Sequence, residues 1–135
     1  MAGIDHLMIN VNRYAEAKRF YSWLLPKVGY PNSMSYPDSM PKKGMGWFGG
    51  HGSVWVQESE PAFRADTFHR HRVGLCEIAL AADSRDQIDQ MAKEIDANGG
   101  KVTDPPREYD YVPGYYAVFF TDPDGLKLEL VHYPR

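Results

Sequence analysis

The feature that most constrains this chain is that its two halves repeat each other. Adding 71 to a residue number carries His6 to Glu77, Asn12 to Asp83, Phe20 to Met91, Leu24 to Ile95 and Gly29 to Gly100. For the closing strand of each half an offset of 72 sets Gln57 against Glu129, as a one-residue loop difference allows. Each half reads as a strand, a helix and three strands. In residues 3–11, Leu7, Ile9 and Val11 alternate with His6, Met8 and Asn10, which is the period of a half-buried strand. Asn12 is placed to cap a helix through about Leu25, where Ala17, Phe20, Tyr21, Leu24 and Leu25 form one apolar stripe; Pro26 and Gly29 end it. Three short strands follow before Glu58, the clearest being residues 53–58.

The second half opens with a strand over residues 75–82, Ile78 and Leu80 opposing Glu77, Ala79 and Ala81. Ser84 and Gln87 have the spacing of a capping box before a helix carrying Ile88, Met91, Ala92 and Ile95, and Asn98-Gly99-Gly100 stops it. Strands around residues 101–103, 115–121 and 127–132 complete the unit, the last two joined by Asp122-Pro123-Asp124-Gly125. A βαβββ unit is too small to bury both faces of its sheet, so two units are expected to pair within one domain. The expected fold is α+β: two paired βαβββ modules, about residues 3–58 and 74–133 with a linker over 59–73, forming a curved mixed sheet around a central cavity with the helices outside.

The aliphatic face of each first strand must cover its own helix, so the opposite faces point into the cavity. A histidine and a glutamate at such positions are costly to bury unless paired or metal-bound. Glu129 lies between Leu128 and Leu130 and turns inward by alternation; Gln57 alternates with Val54 and Val56 in the same way. His6, Gln57, Glu77 and Glu129 are therefore expected in one cavity, as one nitrogen and three oxygen donors suited to Zn, Mn, Ni, Co or Fe(II). Trp47, Trp55, Tyr109, Tyr111 and Tyr116 are candidates to line a pocket for an aromatic ligand, with about half of them expected in the core. Cys76, by strand alternation, is expected to be a buried small hydrophobe.

Other functions are excluded or disfavoured by composition. With 15 Lys and Arg against 18 Asp and Glu, the charge balance argues against a nucleic-acid surface. No apolar run reaches membrane-spanning length, the first residues lack the pattern of a signal peptide, and one cysteine forms no internal disulfide; the expected location is the cytoplasm. His69-Arg70-His71-Arg72 reads as a solvated basic linker rather than a metal or anion site.

The His near the start of the first strand, the Phe20-Tyr21 pair, the Gly99-Gly100 turn and the closing run from Tyr115 to Glu129 (YYAVFFTDPDGLKLE) resemble the vicinal oxygen chelate superfamily. That group contains glyoxalase I, bleomycin-resistance proteins, fosfomycin-resistance enzymes and extradiol dioxygenases. The resemblance implies metal positions at His6, Gln57, Glu77 and Glu129, with Glu129 as catalytic base. Many relatives carry His where this chain has Glu77, which disfavours the two-His chemistry of dioxygenases and fosfomycin-modifying enzymes. It further implies a metal-dependent lyase or isomerase acting on a small carbonyl or oxygen-rich substrate, assembled as a homodimer. The alternative is a metal-free protein that sequesters a small molecule, as bleomycin-resistance proteins do.

Overall fold

In the computed structural model, which describes residues 2–135, the chain divides after Asp66 into two units. The first holds β1 (His6–Val11), α1 (Tyr14–Lys27), β2 (Asn32–Ser35), β3 (Gly44–Gly49) and β4 (Gly52–Glu58). Its sheet runs β1-β4-β3-β2, with β1 parallel to β4 and the other pairs antiparallel. Parallel neighbours cannot be joined by a hairpin, and the α1 crossover supplies the length. Ile9, Val11, Trp47, Val54 and Val56 are buried on the sheet, and Ala17, Phe20, Tyr21, Leu24 and Leu25 are buried on α1, which packs on β3 and β4.

The second unit repeats the plan with β5 (Ile78–Ala81), α2 (Arg85–Glu94), β6 (Lys101–Glu108), β7 (Tyr116–Thr121) and β8 (Lys127–His132), in the order β5-β8-β7-β6. Ile88 and Met91 of α2, with Ile95 just beyond it, are buried on the helix side; Val118, Phe120, Leu128 and Leu130 are buried on the sheet, and α2 packs on β6, β7 and β8. The fold is thus α+β, two βαβββ modules each built on a four-stranded mixed sheet. No helix among the described residues is long and apolar enough to cross a membrane.

Several boundaries differ from expectation. β1 begins at His6 rather than residue 3, and β5 at Ile78 rather than 75. Cys76 therefore precedes its strand and is exposed, so the alternation that would bury it does not apply. Arg13, not Asn12, stands at the N-cap of α1, and its side chain does not cap the helix. The Asn12 amide is used elsewhere: Oδ1 accepts from Ser59 Oγ at 2.5 Å and Nδ2 donates to the Asp66 carbonyl at 2.9 Å. Pro26 lies inside α1, and the helix ends at Lys27 with Gly29 at φ 102° just beyond. α2 is capped as expected, with Gln87 N donating to Ser84 Oγ at 3.0 Å and Asp83 N to Gln87 Oε1 at 2.7 Å. β6 continues to Glu108, through Pro105 and Pro106, with two register irregularities against β7.

Candidate functional site

In each unit one sheet face packs on the helix and the other is available for chemistry. The strand registers set out that second face in rows. In unit one the rows are His6–Ser53–Phe48, Met8–Trp55–Gly46 and Asn10–Gln57–Gly44 across β1, β4 and β3. In unit two, Ala79–Glu129–Phe119 and Ala81–Val131–Ala117 run across β5, β8 and β7, with Lys127–Thr121 one row earlier beside Glu77. The helices and first strands repeat at an offset of 71, but the closing strands repeat at 74: buried Val54 and Val56 correspond to Leu128 and Leu130. The expected 72 kept each side chain on its proper face but slipped the register by two. The counterpart of Glu129 is consequently Trp55, and that of Gln57 is Val131.

Glu129 is 4% exposed, and burial raises its carboxyl above the ordinary carboxylate range. The Tyr115 phenol donates to Glu129 Oε1 and opposes the shift, while the Glu77 carboxyl beside it adds to the shift. Tyr115 itself is pushed far above an ordinary tyrosine by burial and by its bond to Glu129. Glu77 Oε2 is buried without a hydrogen-bond partner, and the Lys127 ammonium lies 3.8 Å away. A buried carboxylate oxygen lacking a donor, set beside a second carboxyl, is a place where a proton or a cation would be stabilised.

The unit-one face is different in kind. Trp55 lies against Phe48 edge-on at 5.1 Å and against Tyr36 at 5.9 Å between centroids. Glycine makes this possible. A Cβ on Gly46 would stand 2.5 Å from the Trp55 ring, and one on Gly44 2.3 Å from the Tyr36 ring. His6 is half-exposed, with Nδ1 2.7 Å from Asp5 Oδ1. That contact leaves Nε2 as the nitrogen able to ligate, the arrangement typical of metal-binding imidazoles. Gln57 is bonded at both ends: Oε1 accepts from Tyr36 Oη at 2.8 Å, and Nε2 donates to Asn10 Oδ1 at 2.9 Å. It lies opposite Asn10, four residues along β4 from Ser53, the partner of His6, or roughly 13 Å at strand rise.

Of the four expected ligands, then, Glu77 and Glu129 come together in unit two, whereas His6 and Gln57 stand at opposite ends of the unit-one face. Oxygen donors from a carboxyl pair and a carboxylate-held imidazole are chemically suited to a divalent ion. Among the described residues, however, no group of three or more His, Cys, Asp or Glu side chains gathers at metal-binding spacing. Of the expected pocket aromatics, Trp47 is core at 1% exposure. Tyr116 donates to Asp89 Oδ1 of α2 at 2.6 Å and stacks under Arg85, which puts it on the helix side. Tyr111 is exposed, and Tyr109 joins Tyr115 and Tyr133 around Ala117, Phe119 and Val131. Sequence reading missed Tyr115 and Lys127 as neighbours of the carboxyl pair. The position of Lys127, two residues before Glu129 on one strand face, was the available signal.

Two βαβββ modules, one bearing a buried glutamate beside a second carboxyl, define the class of protein. The chain belongs to the Glyoxalase/Bleomycin resistance protein/Dioxygenase superfamily, whose model matches residues 28–130. It is similar to the uncharacterized protein YqjT of Bacillus subtilis (strain 168), with 34% identity over 129 residues, 95% of this chain and 97% of that one. A glyoxalase/bleomycin resistance protein from Albidiferax ferrireducens T118 has 26% identity and a TM-score of 0.74, covering 97% of this chain and 98% of its own. A Bacillus halodurans structure has 29% identity and a TM-score of 0.75, covering 97% and 96%.

Proposed function

We propose that the chain is a metal-dependent lyase or isomerase of the glyoxalase class, with Glu129 moving a proton on a small carbonyl or oxygen-rich substrate. The observation that carries this reading is the Glu77–Glu129 pair. Burial and the neighbouring carboxyl make Glu129 a stronger base than an ordinary carboxylate, which brings it nearer the basicity useful at neutral pH. Tyr115 holds Oε1 and thereby orients the group. Glu129 takes a proton from the carbon beside a substrate carbonyl and returns it to the adjacent carbon. The proposed ligands of a divalent ion (Zn, Mn, Ni, Co or Fe) are Glu77 and Glu129; His6 joins them by the family resemblance alone, and Gln57 is left out because it stands at the far end of the unit-one face from His6. A bound ion would stabilise negative charge on a substrate oxygen. The proposed setting is the cytoplasm and the proposed assembly a homodimer.

Metal analysis and turnover of Glu129→Gln test the reading together. The variant should keep a detectable metal while turnover falls about 10²-fold or more, the scale of general-base loss. Full turnover of a confirmed substrate by the folded variant overturns the assignment of Glu129. The aromatic face favours a second reading, metal-free sequestration of a planar ligand on Trp55. In that case Trp55→Ala abolishes binding, chelators do not affect it, and Glu129→Gln changes affinity by no more than a few-fold.

A further inference from the structure

Beside β8 in unit two lies an open cleft of about 410 Å³, walled by the segment of residues 68–71 on one side and by Thr103, Asp104, Thr121, Gly125 and Lys127 on the other. That volume is within the range of small-molecule sites and exceeds what one ion needs. We propose that this cleft is an oxyanion site, receiving the phosphate or carboxylate end of the substrate on which Glu129 acts. The inference rests on the reading of Glu129 as base and adds the class of substrate, an anionic one.

Charge and hydrogen-bond polarity carry the argument. Arg70 and Lys127 are the fixed cations of the lining, against the carboxylate of Asp104, with Glu77 paired to Lys127 behind it. Arg70 is exposed and, among the described residues, makes no ion pair. Its guanidinium is available to grip a carboxylate or phosphate through two parallel bonds. The Lys127 ammonium is ion-paired with Glu77 Oε2 at 3.8 Å and lies 4.8 Å over the Phe119 ring; at that separation its hydrogen-bond donors still have room for a second anion.

The two exposed imidazoles lie against each other. His71 N donates to His69 Nδ1 at 3.2 Å, and the rings lie 5.6 Å apart. With Nδ1 accepting, the neutral His69 ring carries its proton on Nε2 and offers a donor. Arg72 pins the loop, its guanidinium donating to the Thr67 carbonyl at 3.2 Å and its amide to the His69 carbonyl at 3.1 Å. The basic run read from sequence as solvated is exposed throughout and forms one wall of the cleft. Lys127 and Glu129 share one face of β8 two residues apart, roughly 6.6 Å at strand rise. An anion held at Lys127 therefore sits one small-molecule length from the proposed base.

The test is titration of the full chain with inorganic phosphate and, separately, with acetate. Ionic strength is held constant with chloride, and the His69 and His71 imidazole signals are followed by NMR. Saturable shifts with one of the two anions are expected, and the tighter arm identifies the substrate end as phosphoryl or carboxylate. Arg70→Ala should weaken that binding about 10-fold, the loss of one charge-assisted contact; Lys127→Met should do the same. Glu129→Gln should leave it within a few-fold, so a failed catalytic assignment and a failed anion site give different results. Non-saturable shifts in both arms, or equal affinity in folded Arg70→Ala, overturn the proposal.

Discussion

The middle rows of the two sheets occupy the same place in the same backbone plan and carry opposite chemistry. In unit one the row is Met8–Trp55–Gly46, with the bulk on the closing strand and none on its antiparallel neighbour. In unit two it is Ala79–Glu129–Phe119, with the bulk on the neighbour and an acid on the closing strand. Both rows fill similar space, one by a ring lying over a glycine and the other by a ring beside a carboxyl. A duplicated scaffold has thus kept its helix-facing residues interchangeable and specialised the opposite faces, one aromatic and one acidic.

That contrast makes the two rows sensitive to opposite changes. The largest effect is expected from truncation in unit two. Phe119 is 7% exposed and packs with Ala117 and Val131, so Phe119→Ala should cost about 3–5 kcal/mol in urea unfolding. Unit one should instead resist enlargement. Gly46→Val drives a Cβ to 2.5 Å from the Trp55 ring, and the forced shift should cost about 1–3 kcal/mol and change the Trp fluorescence. A Gly46→Val variant as stable as the parent would show that the flat Trp55 position is not required.

A smaller effect is expected from pH at the acidic row of unit two. Folding raises the Glu129 carboxyl above its unfolded value, so the folded state holds that proton more tightly. The resulting stabilisation is present below the unfolded pKa and is lost as pH rises through the folded one. Melting temperatures of the parent should therefore fall relative to Glu129→Gln as pH rises out of the acid range. A difference independent of pH would mean that Glu129 is not perturbed.

The sequence carried the helix stripes, the Ser84–Gln87 cap and the facing of β1, β4, β5 and β8, because those depend on local period and local bonds. Register between β1 and β4 depends on how residues some 47 apart in the chain align, which no local pattern encodes. An error of two residues preserves alternation and so leaves no trace in hydrophobicity. That is how Gln57 came to stand for Trp55. The Asn12 cap failed for a related reason: its partners, Ser59 and Asp66, lie beyond the next three strands. Cys76 failed because a strand that starts two residues later carries no alternation to the cysteine.

The outer strands β2 and β6 bear on how the protein behaves when crowded. Each presents a free row of backbone groups, the template on which foreign strands add and fibrils grow. Pro105 and Pro106 remove two amide donors from β6, and its two slips against β7 break the straight line that an incoming strand would need. β2 is four residues long, exposed throughout, and reads Asn-Ser-Met-Ser, a poor seed for a dry zipper. Concentrated solutions of the folded chain are thereby guarded along β2 and β6 against self-templated aggregation.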